Sequence, residues 1–123
     1  MGTNAASDAA FSRVGTATIT GNTITGDGVA LGARGVLTRG LVENSIVAEN
    51  DITGVGTGIS MTIDKSQGPL AVQANRNRLF ANNTGVGNAT AAVVDANDNW
   101  WGCTAGPISG DPYCVPVLNT GSG

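Results

Sequence analysis

Nine carboxylates could do chemistry in this chain: Asp8, Asp27, Glu43, Glu49, Asp51, Asp64, Asp95, Asp98 and Asp111. Glycoside hydrolysis needs two such groups at a set separation, and a calcium site needs several converging oxygens. Only Glu49 and Asp51 stand close together, and no trio gathers anywhere in the sequence. Asp27, Asp51 and Asp64 stay open to the first reaction, but no motif selects them. The chain has no histidine for acid–base work, no Gly-x-Ser-x-Gly elbow and no phosphate loop. "GDGVA" at 26–30 occurs once, where a calcium-binding nonapeptide array would repeat it. No catalytic, metal or cofactor site is expected.

Two other stretches carry unusual residues. Cys103 and Cys114 are the only cysteines, and they bracket a loop rich in Gly and Pro. An even pair around such a loop points to a disulfide and an oxidising compartment. Two free thiols in a reducing compartment are the alternative. Zinc is not expected, because two thiolates without histidine leave a tetrahedral site unfilled. Beside them, "DNWWGCTAGP" (98–107) sets two of the chain's five aromatic residues side by side. Trp100 and Trp101 either close the end of a fold or offer indole faces to sugar rings. Burial is the default for Trp.

The elements that would position these residues follow from composition and repeat. At 123 residues the chain is one domain by size. Nineteen glycines and four prolines, with many Asn and Thr, argue against helices. An apolar share of 41% with 12% charge is too hydrophobic for a disordered tail. The net charge of −3 offers no basic patch for nucleic acid and no polybasic run for a membrane surface. No apolar run is long enough to span a bilayer, so membrane insertion is not expected either. Met1-Gly2 and Gly121-Ser122-Gly123 read as appended ends, so the lack of a signal peptide carries no information.

Four segments align on an asparagine: "TITGNTITG" at Asn22, "IVAENDITG" at Asn50, "QANRNRLFA" at Asn77 and "DANDNWWGC" at Asn99. Two residues after each comes a large apolar side chain: Ile24, Ile52, Leu79 and Trp101. Three residues before comes a smaller one: Ile19, Val47, Ala74 and Ala96. A second apolar strand is expected at Val29–Leu31, at Ile59–Ile63 and, more weakly, around Val86. Hairpins would need two-residue turns between longer alternating strands. A period of this length with one recurring corner describes a chain that winds in layers, its strands parallel and about 4.8 Å apart. Asn suits the corner by tolerating left-handed backbone, and stacked amides can bond along the axis.

The pieces "NDITGVGTGI" and "NRLFANNTGV" resemble repeats of the right-handed parallel β-helix (pectate-lyase-like) superfamily. "NDNWWGCTAGP" is similar to the terminal coil of bacterial secreted and cell-surface proteins of that fold. The resemblance spans roughly residues 16–118 and specifies fold better than function. It implies clustered Asp residues holding calcium, with an Arg or Lys base, wherever such proteins cleave acidic polysaccharides. No such cluster is found in this chain.

The fold class expected is therefore all-β: a single-stranded right-handed parallel β-helix of about four coils with a disulfide-fastened C-terminal cap. Residues 1–15 form a partial coil or cover, 16–102 the coils, 103–120 the cap and 121–123 a linker-like tail. In the stack, Glu49 and Asp51 face Arg76 and Arg78 of the next coil, and Asp98 continues the first column. Opposite charges across strands contribute roughly 0.2–1 kcal/mol per pair. Trp101 fills the last layer, under a cover of Tyr113, Val115 and Val117. Trp100 points outward. Thr25 aligns with Thr53 but then with Phe80, which breaks the Thr array an ice-binding face requires. The sequons at Asn82 and Asn88 are expected by accident in so Asn- and Thr-rich a chain. The expected role is non-enzymatic: an exported, extracellular or surface module of an adhesin, stalk or filament, presenting loops such as Gly32–Gly40 and Asp64–Pro69. Its partners would be further coils of a parent protein or other copies of itself. The alternative is a carbohydrate-binding or polysaccharide-processing domain that meets surface glycans.

Overall fold

The computed structural model describes residues 14–28, 32–108 and 114–123. They wind into a parallel β-solenoid of about four coils. The first coil contains β1 (Val14–Thr20), β2 (Thr23–Thr25) and β3 (Arg34–Arg39). The second contains β4 (Val42–Ala48), β5 (Asp51–Thr53) and β6 (Thr57–Thr62). The third contains β7 (Ala71–Asn75), β8 (Arg78–Phe80) and β9 (Thr84–Asn88), and the fourth β10 (Val93–Asp95) and β11 (Val117–Asn119). Strands in equal positions form three sheets, β1-β4-β7-β10, β2-β5-β8 and β3-β6-β9-β11, and their pairings are parallel. Trp100 extends the second sheet by a parallel bridge to Arg78.

The core is a set of columns, because inward residues repeat at one register per sheet. Ile24, Ile52 and Leu79 are Cα partners in successive strands, as are Ile19, Val47 and Ala74. From the third sheet come Val36, Ile59, Val86 and Val117. The interior is narrow, so a large side chain on one wall needs a small one opposite. A Cβ on Gly58 would stand 3.1 Å from Leu79 Cδ2 and 2.7 Å from the Gly85 carbonyl oxygen. A Cβ on Gly85 would stand 2.8 Å from the Trp101 ring. The Gly–Ile and Gly–Val pairs of the repeat thus place each glycine against the large residue that follows the next asparagine.

Two sequence expectations about the coils change. The left-handed corner residue is not the asparagine but its predecessor: Gly21, Glu49, Arg76 and Asp98 have φ of 69°, 59°, 54° and 58°. For a residue with a Cβ this backbone costs roughly 1–2 kcal/mol. What the asparagine supplies at the corner is its amide rather than its backbone tolerance. The segment 32–40, expected as a presented loop, is mostly β3, paired with β6 from Arg34↔Thr57 to Arg39↔Thr62. The strand expected at Val29–Leu31 lies outside the described residues. The first two intervals between corners carry extra residues, 26–33 between β2 and β3 and the excursion 63–70 after β6, which is why the interval between corners is unequal. In the latter, Asp64 and Gln67 exchange backbone hydrogen bonds of 2.7 and 2.9 Å across a turn with positive φ at Lys65 and Ser66.

Val117, expected as part of the cover over Trp101, is 43% exposed. It belongs to β11, which pairs with β9, so the fourth coil continues past the disulfide loop. Residues 121–123, expected as a linker-like tail, lie against the third coil. Gly121 N–H donates to the Asn88 carbonyl and Gly123 N–H to that of Thr90, at 3.2 and 3.3 Å.

Candidate functional site

The four corner asparagines stand in one column. Asn77 Oδ1 accepts the Asn50 backbone N–H at 3.0 Å and its side-chain amide at 3.1 Å. Asn50 Oδ1 accepts the same two groups of Asn22, both at 3.0 Å. Asn99 Oδ1 accepts them from Asn77 at 2.8 and 3.1 Å. Each lower amide also reaches the carbonyl three residues before the asparagine above it: Asn50 to Ile19, Asn77 to Val47 and Asn99 to Ala74. Asn50 and Asn77 are buried, Asn99 is half-buried and Asn22 is exposed. The corner thus satisfies backbone groups that no strand partner reaches, which burial requires.

Sequence reading missed a second, shorter instance at the next corner. Asn82 Oδ1 accepts the Val55 N–H and its amide donates to the Ile52 carbonyl, each at 3.0 Å. Asn82 begins the first sequon, and Asn88 begins the second. Asn88 donates to the Ala92 carbonyl at 3.1 Å and accepts from the Thr90 backbone and hydroxyl at 3.0 and 2.7 Å. Both are buried. These are structural amides, and for Asn82 the signal that could have found it was the same three-residue offset to an apolar residue, Leu79.

The charges flanking the column form ion pairs between coils. Arg76 meets Glu49 at 3.1 Å, and Arg78 meets Asp51. Asp98 makes no ion pair with Arg76 among the described residues, since that guanidinium lies on Glu49. A third pair, Arg39–Asp64 at 3.0 Å, escaped the sequence reading because it joins the end of β3 to the 63–70 excursion. Its carboxylate is only 6% exposed, whereas Glu49 and Arg76 are each 61% exposed. Arg76→Ala is therefore expected to change stability by less than about 1 kcal/mol, an effect that salt removes. Arg39→Ala should cost more, about 1–3 kcal/mol, by leaving a buried carboxylate without its charged partner. Urea denaturation at low and high ionic strength separates the two.

At the C-terminal end, Trp101 is 6% exposed and follows Ile24, Ile52 and Leu79 inward, while Trp100 is 42% exposed. Cys103 and Cys114 form a disulfide. Val115, next to it, is buried and donates its N–H to the Trp101 carbonyl at 2.9 Å. Tyr113 lies outside the described residues. On the outer face of the second sheet, Trp100 neighbours Arg78, whose guanidinium lies 5.0 Å from the centre of the Phe80 ring.

Asp27 is exposed on the stretch after β2, Asp51 is held by Arg78, and Asp64 by Arg39. Three different elements carry them, and two are already neutralised by arginines. No cluster of three or more potential metal ligands occurs among the described residues. Fold and column together define a parallel β-solenoid with an asparagine ladder. No protein-family model, no curated protein and no solved structure matches the chain.

Proposed function

We propose that the chain is a structural module: a stiff stack within an exported surface protein such as an adhesin, stalk or filament, holding the excursion at 63–70 off its side. The observation that carries this reading is the asparagine column. It ties all four coils along the axis through amide bonds, and the Asn50–Asn77 link lies wholly inside the protein. Each amide that is shared between coils couples their positions, so bending the stack between the second and third coils breaks hydrogen bonds buried from water. The disulfide supports an oxidising destination outside the cytosol.

A second reading, carbohydrate binding, draws on one observation: exposed Trp100 beside Arg78 over Phe80, an outward strip of ring and cation faces that suits a sugar ring. A glycan array, followed by intrinsic tryptophan fluorescence, decides between them. The structural reading expects no saturable change. Saturable quenching that Trp100→Ala abolishes would replace it with the second.

A further inference from the structure

The two ends of the asparagine column are chemically opposite. In every step, the N–H and amide of one asparagine donate to Oδ1 of the asparagine in the next coil. The column therefore has a direction. At its start, Asn22 Oδ1 accepts no hydrogen bond among the described residues, and at its finish the Asn99 backbone N–H has no acceptor among them. One end offers the acceptor that the other end lacks.

The apolar surfaces of the ends differ in the same complementary sense. In the fourth coil the interior is not filled throughout, and Trp101 does not line the unfilled part. A hollow of about 120 Å³ opens there between β10 and β11, lined by Val94, Ala96, Val117 and Asn119 and floored by Val86. In the first coil Ile19 and Ile24 are only partly buried. Ala96 stands at the column position of Ile19, Val47 and Ala74, so the position is small where the first coil is large.

We propose that copies of this chain stack head to tail, the first coil of one seated on the fourth coil of the next; this rests on the structural reading above and names its partner. Asn22 Oδ1 of the seated copy then receives the Asn99 N–H, and its Ile19 enters the hollow over Ala96. Its β1 and β3 continue the sheets whose outer edges are β10 and β11, with the strands still parallel. Two first coils facing each other would instead oppose two Oδ1 acceptors and force the strands antiparallel. The contact is heterologous and does not close, so it propagates into filaments.

The test uses the full chain and two blocking substitutions, one at each end: Ile19→Glu and Val117→Glu. Light scattering coupled to size exclusion should show wild-type mass rising with concentration to dimers and longer species. Each variant alone should stay monomeric, and an equimolar mixture should form a one-to-one dimer through the two unblocked ends. Asn22→Lys, at an exposed position, takes the place of Ile19→Glu if circular dichroism shows that variant unfolded. Wild type that remains monomeric up to its solubility limit overturns the proposal. So does Val117→Glu that still pairs with itself, or a mixture that stays monomeric. None of these outcomes touches the module reading, which fails only on saturable glycan binding.

Discussion

Trp101→Ala is expected to lower unfolding free energy by about 3–5 kcal/mol, the range for emptying a buried aromatic site. Several features concentrate the effect there. Trp101 is the last member of the column begun by Ile24, Ile52 and Leu79, and each earlier member has another coil stacked on it. Its ring lies where a Cβ on Gly85 would clash, so that glycine cannot fill the void by itself. Val115 packs against the same glycine and is held in place by the neighbouring disulfide cysteine, which limits collapse from the other side. Trp100→Ala, one residue away and exposed, should change stability by about 0.5 kcal/mol or less. Guanidinium denaturation of both variants checks this: a shifted midpoint with unchanged slope for Trp101→Ala, and coincident curves for Trp100→Ala and wild type. Equal effects of the two substitutions would remove Trp101 from its role in closing the stack.

The next largest effect is expected from Asn77→Ala, at about 2–4 kcal/mol. The substitution is small in volume, so hydrogen bonding rather than packing sets the loss. It removes the acceptor for the Asn50 N–H and amide, and the donor for the Val47 carbonyl. Orphaned buried polar groups cost roughly 1–3 kcal/mol each. Partial relaxation and entry of water bring the sum below the full total. Asn22→Ala makes the internal control, since Asn22 is exposed and loses only a bond to the Asn50 amide oxygen and one to the Thr20 carbonyl. It should fall within about 0.5 kcal/mol of wild type. Thermal melts of the pair, with hydrogen exchange at the Asn50 amide, test the contrast. If the two substitutions cost the same, the column's worth does not come from burial.

How much of this was legible beforehand differs from corner to corner. The first corner repeats an asparagine with apolar partners at fixed offsets on both sides, and the strand after it has three residues in each of the first three coils. Side-chain period and column spacing therefore both survive in the sequence there. The third sheet was harder. Its register runs Arg34↔Thr57, Thr57↔Thr84 and then Val86↔Val117, a different step each time. Residues 26–33, the excursion at 63–70 and the stretch between the two cysteines each add residues between one strand and the next. No single period links the strands, so β3 was read as a loop and β11 as part of a cap. The Arg39–Asp64 pair was hidden for the same reason, since its partners sit at an end of β3 and in an excursion.

The sequence by itself determined that the chain winds, that its strands run parallel in about four layers, and that the cysteines bracket the end. These follow from local pattern: which residues alternate, and which recur after one turn. Only the tertiary structure decided where the left-handed residue falls, which carboxylate is buried against an arginine, and that the fourth coil leaves a hollow between β10 and β11. Those outcomes depend on how unequal excursions bring distant segments into register, and loop lengths vary without leaving any periodic trace in the residues they connect.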